Sequence, residues 1–162
     1  MRALWITGVS LALDQASKWL VVDSMRLGES IPVLGSFFKL TYILNPGAVF
    51  GMKVGGAGVH LALAGAALIF VFGLLWKLPR TERLRSVALA LVLGGAIGNV
   101  IDRISLGEVI DFLDFGFGSV RWYIFNLADV WVTTGTGLLI LSYSLQKEDA
   151  ETSNGNGGAS RA

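Results

Sequence analysis

Four stretches of this chain, at about residues 4–22, 60–76, 86–104 and 125–145, are apolar over lengths close to the ~20 residues a helix needs to cross a bilayer. Nothing else in the sequence limits the fold as strongly. Of 162 residues, 53% are hydrophobic and 15% charged, against about 25% charged in an average soluble domain, so little polar sequence is left to build a water-facing shell. The expected fold is a mainly α membrane protein with four transmembrane helices, residues 1–146 forming one domain. Arg2 resembles the basic start of a signal peptide. Asp14 and Lys18 interrupt the apolar run behind it, however, and no small-x-small cleavage pattern follows, so an uncleaved span is expected.

The segment Lys77 to Arg85 holds four basic residues in nine positions, which by the positive-inside rule makes it a cytoplasmic loop. Both termini then lie inside and both long connections outside. Residues 147–162, polar and rich in Gly, Ser and Asn, read as a disordered cytoplasmic tail. A net charge of +1 gives no reason to expect a nucleic-acid partner. With no cysteine there is no disulfide, thiolate ligand or cysteine nucleophile, and His60 has no second histidine to share a metal. No metal and no cofactor are expected.

The first outer connection is too long for a plain link. Phe37 to Ile43 is rich in β-branched and aromatic residues and predicts a strand, Asn45-Pro46-Gly47 predicts a turn, and Ala48 to Gly51 is expected to return as a second strand. A small extracytoplasmic β-sheet between spans one and two follows, with Gly55 to Gly58 as a joint. In the second outer connection, Val109 to Phe115 reads as either extended chain or a short surface helix, and Trp122 and Tyr123 suit the membrane interface. Pro79 ends the second helix and Thr81 is placed to cap the third. The pairs Gly65 and Gly73, and Gly94 and Gly98, are expected to let helices approach closely.

Acids in or beside such spans are costly, by roughly 2.5–3.5 kcal/mol each at mid-membrane. Asp14 and Lys18, four apart, share one helix face as an ion pair that is either purely structural or a brace for a site nearer the surface. Asn99, Asp102 and Arg103 share a face of span three, with Asp102 and Arg103 expected to pair. Asn126 and Asp129 share a face of span four, about one turn from its start. Asp111 lies in the connection between spans three and four and can fold back toward Asp129. Two carboxylates held together share one proton and can activate water, one as base and one as acid. Proton or ion carriage satisfies the same residues, although four spans without a visible repeat speak against a transporter. A non-catalytic scaffold is the third possibility.

Five blocks decide among these on resemblance. Asp14-Gln15-Ala16-Ser17-Lys18, Asn45-Pro46-Gly47-Ala48-Val49-Phe50-Gly51, the run from Gly94 to Arg103, Val109-Ile110-Asp111-Phe112 and Phe125-Asn126-Leu127-Ala128-Asp129 closely resemble, in order, the lipoprotein signal peptidase (signal peptidase II) family. Val49 stands where that family more often has a smaller residue. The resemblance implies an aspartyl endopeptidase of the bacterial inner membrane that cleaves prolipoproteins before a diacylglyceryl-modified cysteine. It implies Asp111 and Asp129 as the catalytic pair, with Asn45, Gly47, Asn99, Arg103 and Asn126 lining the site, Asp102 supporting Arg103, and Asp14 with Lys18 bracing it. The partners implied are the lipid-modified precursor and membrane lipid, and a monomer is expected.

Overall fold

A computed structural model describes residues 3–47, 57–79 and 81–158. The elements run in the order α1 (Leu4–Ser24), β1 (Ser30–Leu34), β2 (Phe38–Asn45), α2 (Ala57–Lys77), α3 (Arg83–Leu106), β3 (Val109–Phe117), β4 (Val120–Arg121) and α4 (Leu127–Gly158). α3 is the centre, since α1, α2 and α4 all pack on it. It can be approached so closely because of its glycines. A Cβ built on Gly94 would collide with Ser10 of α1, one on Gly98 with the Asp14 carboxylate of α1, and one on Gly95 with the Ala128 carbonyl of α4. Gly65 and Gly73 do not act this way. Among the described residues a Cβ on either meets nothing within 4 Å, so the close contact expected of them is absent there.

Polarity is inverted relative to a water-soluble bundle. Asp14, Lys18, Asp102 and Asn126 are buried, while Trp5, Trp19, Ile69, Phe70, Trp76 and Ile140 are exposed on the outer faces of the helices. Among the described residues one helix, Arg83–Leu106, is by length and composition apolar enough to cross a membrane, and Leu61–Lys77 is a shorter apolar helix. α1 carries Asp14, Lys18 and Asp23 along its length.

The sheet differs from the one expected. It has four strands in the order β1-β2-β3-β4, all antiparallel, so half of it comes from the connection between α3 and α4. The hairpin partner of β2 is β1, reached through the turn at Gly35, which has φ 56° and so favours glycine. The expected return strand at Ala48 to Gly51 lies outside the described residues. Val109 to Phe115 is extended chain within β3 and not a helix. Strand alternation then sorts its side chains. Ile110 and Phe112 pack with Tyr42 against Val21 and Met25 at the end of α1, which leaves Asp111 on the opposite face.

Two helix ends also differ. Glu82, not Thr81, occupies the N-cap of α3, without a side-chain cap bond. α4 continues to Gly158 through residues expected to be a disordered tail. Its Lys-Glu-Asp-Ala-Glu stretch from Lys147 to Glu151 holds mostly good helix formers, and extending an existing helix costs far less than nucleating one.

Candidate active site

The site forms where the start of α4 meets β3, the end of β2 and the outer part of α3. Asn126 and Asp129 build a reciprocal cap at the start of α4. The Asp129 N–H donates to Asn126 Oδ1 at 3.0 Å, and the Asn126 N–H donates to Asp129 Oδ2 at 3.3 Å. This is the capping-box pattern with Asn and Asp in place of the usual Ser/Thr and Glu. It fixes Asp129 at the third helical position and also fixes the amide of Asn126, whose Nδ2 must point away from the helix. That Nδ2, fully buried, donates to Asp111 Oδ1 at 2.7 Å, to Asn99 Oδ1 at 3.0 Å and to the Ile110 carbonyl at 3.2 Å. One residue thus binds both Asp111 and Asp129.

The other oxygens are held by two more asparagines. Asn45, the last residue of β2, donates to Asp111 Oδ2 at 2.8 Å, and its own Oδ1 accepts the Gly47 N–H at 2.9 Å. Asn99 of α3 donates to Asp129 Oδ1 at 2.9 Å. Each Asn therefore presents its N–H to a carboxylate. Arg103 donates to the Asn99 carbonyl at 3.1 Å and to the Gly47 carbonyl at 3.2 Å, tying the end of α3 to the turn after β2.

The expected Asp102–Arg103 pair does not form. Asp102, buried on the side facing α1, lies 2.8 Å from Lys18 Nζ and accepts the Ile110 N–H at 3.3 Å, because one helical position turns Arg103 toward the 45–47 turn instead. Asp14 and Lys18 do pair, at 2.9 Å, and Asp14 accepts the Ala128 N–H at 2.8 Å, placing an anion at the start of α4, where the helix dipole favours it. Gln15, given no role of its own by the sequence, joins this cluster. It donates to Asp14 and Asp102 at 3.2 Å each and to the Gly98 carbonyl at 3.4 Å. Its place one residue after Asp14 was the available signal.

The carboxyl of Asp111 is pushed up to about 6, chiefly by burial. The Asn45 and Asn126 hydrogen bonds and the charge of Lys18 oppose the rise, and the negative charge of Asp129 adds to it. Asp114, three residues on, behaves differently. Burial alone would raise it, but Arg121 at 2.6 Å and Thr41 at 2.7 Å hold it below its ordinary value. It is a buried strut of the sheet, not a free acid. Among the described residues no group of three or more His, Cys, Asp or Glu side chains is arranged to hold a metal ion. What converges is two carboxylates, each held by N–H donors, with Asp129 and Asn99 half-buried and Asp111 buried. Such a pair can share a proton and polarise a water.

Residues 6–145 match the family described as signal peptidase (SPase) II. The chain belongs to that family. It is 40% identical over 147 residues to the lipoprotein signal peptidase of Desulfitobacterium hafniense (strain DSM 10664 / DCB-2), covering 88% of this chain and 93% of the relative. It is 43% identical over 144 residues to that of Symbiobacterium thermophilum, covering 87% and 93%. A solved bacterial membrane enzyme superposes with a TM-score of 0.82 at 30% identity, over 93% of this chain and 90% of that one. As a member of the family the protein is an aspartic-type membrane protease.

Proposed function

We propose that this protein removes signal peptides from bacterial prolipoproteins, cutting before the diacylglyceryl-modified cysteine with Asp111 and Asp129 as a water-activating pair. The observation that carries the reading is Asn126, which donates to both carboxylates from one fully buried residue and so holds them as a unit. The raised Asp111 carboxyl supports a shared proton. The chemistry closes on itself. One carboxylate takes a proton from water as its oxygen attacks the scissile carbonyl carbon, while the other carboxyl protonates the carbonyl oxygen. The tetrahedral diol then collapses. The C–N bond breaks, the first acid returns its proton to the departing cysteine amine, and the diol hydroxyl returns one to the second.

The site belongs at the outer surface of the inner membrane. α1, α2, α3 and α4 are taken as four spans with both termini cytoplasmic, supported by the exposed apolar outer faces of the helices and by the basic residues between α2 and α3. The sheet then lies outside, level with the start of α4, where a precursor that is half membrane helix and half lipid anchor presents its cleavage site. The purified protein should cut a lipid-modified precursor as a monomer and without added metal. An intact precursor after prolonged incubation with folded protein overturns the reading.

A further inference from the structure

Lys18 is almost fully buried on the fourth turn of α1 and uses all three donors of its ammonium. It reaches Asp14 at 2.9 Å, Asp102 at 2.8 Å and Asn99 Oδ1 at 3.1 Å. Each acceptor leads to the proposed pair by one further bond. Asp14 holds the Ala128 N–H, next to Asp129. Asp102 holds the Ile110 N–H, next to Asp111. Asn99 donates directly to Asp129. The three site amides also differ in what orients them. Backbone N–H groups of Gly47 and Asp129 pin the oxygens of Asn45 and Asn126. The oxygen of Asn99 is held by two side chains, Lys18 and Asn126.

We propose that Lys18 is a positioning residue for the Asp111–Asp129 pair, acting through Asn99 and through the two carboxylates that fix the neighbouring backbone, and not only a counter-ion that neutralises buried acids. The inference rests on the two-aspartate reading above. Neutralisation alone requires only a positive charge anywhere in the cluster. Positioning requires one donor atom at one point, within hydrogen-bond distance of three acceptors on two helices.

The variant Asp14→Asn/Lys18→Met/Asp102→Asn separates the two roles, because it removes every charge of the cluster and leaves Asn oxygens to accept the Ala128 and Ile110 N–H groups. It is expected to melt close to the parent in detergent, to lose kcat by about 10²-fold, the scale of a small misplacement at a reacting centre, and to keep KM within about threefold. In an Asn99→Ala background the same substitutions should cost less than they do in the parent, since the route through Asn99 is already gone and residues acting as a unit are non-additive. Lys18→Arg, which keeps the charge but cannot place a single nitrogen among three acceptors, should also lose kcat. Parental kcat in either variant, or a full multiplicative loss on top of Asn99→Ala, overturns the proposal. Parent and Asp111→Asn run in the same assay keep the two readings apart. Normal cleavage by Asp111→Asn sinks the two-aspartate mechanism itself, whereas a dead Asp111→Asn beside a fully active Lys18→Arg sinks only the role of Lys18.

Discussion

Asp111 is nearly inaccessible, yet among the described residues it is bound by two amides and not by a cation. Replacing Asp111 or Asp129 by Asn should lower kcat/KM by orders of magnitude, with the double variant little worse than either single one. Strictly multiplicative losses would show that the two act independently. The raised Asp111 carboxyl also makes a stability prediction. Its folded value lies above its ordinary 3.8, so the folded chain holds this proton more tightly than the unfolded chain does. That contribution is fully present below 3.8 and is lost as pH rises to about 6, by an amount on the order of 3 kcal/mol at 1.36 kcal/mol per unit. The melting midpoint of the parent minus that of Asp111→Asn should therefore fall across this window, and a difference that rises would reverse the assignment. In activity, kcat/KM should fall as pH rises through about 6, where Asp111 gives up the proton the pair shares. Asp114, by contrast, is tied to Arg121 and Thr41, which makes it structural. Asp114→Asn should lower stability by about 1–3 kcal/mol while the folded fraction keeps most of its kcat.

At the scale of elements, the glycines of α2 and α3 make opposite predictions. Gly98 faces the Asp14 carboxylate, which caps α4, so Gly98→Ala must displace either the helix or the cap. A loss of about 1–3 kcal/mol is expected, with reduced activity because Asp129 sits on the helix whose start is disturbed. Gly73→Ala meets nothing within 4 Å among the described residues and should be neutral or stabilising by up to ~1 kcal/mol through helix propensity. Thermal midpoints of the two variants check this, and equal losses would mean that α3 is not the packing centre. The same contrast shows why a spacing of small residues is ambiguous in a sequence. Gly65 and Gly73 on one helix and Gly94 and Gly98 on another look alike until the partner helix is known.

For the whole molecule, the proposed topology is testable by reporter fusions. Fusions after Leu145 should report cytoplasm and those within Ser24–Phe38 the exterior, and the reverse result at either point would put the acids in the wrong compartment. Because the site lies where the helices meet the sheet, cleavage should also depend on the lipid anchor. The same precursor should be cut with diacylglyceryl on its cysteine and spared without it. Equal cleavage of both forms would describe a general membrane-surface protease.

The sequence by itself determined the parts that depend on local spacing and on the solvent. Apolar run length predicted helices over most of α1 to α4, the strand composition of Phe37 to Ile43 located β2, and the i, i+4 spacing of Asp14 and Lys18 predicted their pair. The spacing of Asn126 and Asp129 placed them together on one face of span four, while the reciprocal cap they form shows only in the structure. The tertiary structure decided everything that joins distant segments. Whether Asp102 pairs with Arg103 or with Lys18 depends on which face of α3 meets α1, and no spacing within α3 contains that. Whether Val109 to Phe115 is helix or strand depended on β2 being free to pair with it. Asp111 and Asp129 converge because strand pairing carries one onto a helix cap that holds the other, and contacts across the chain are set by packing and not by the order of residues along it.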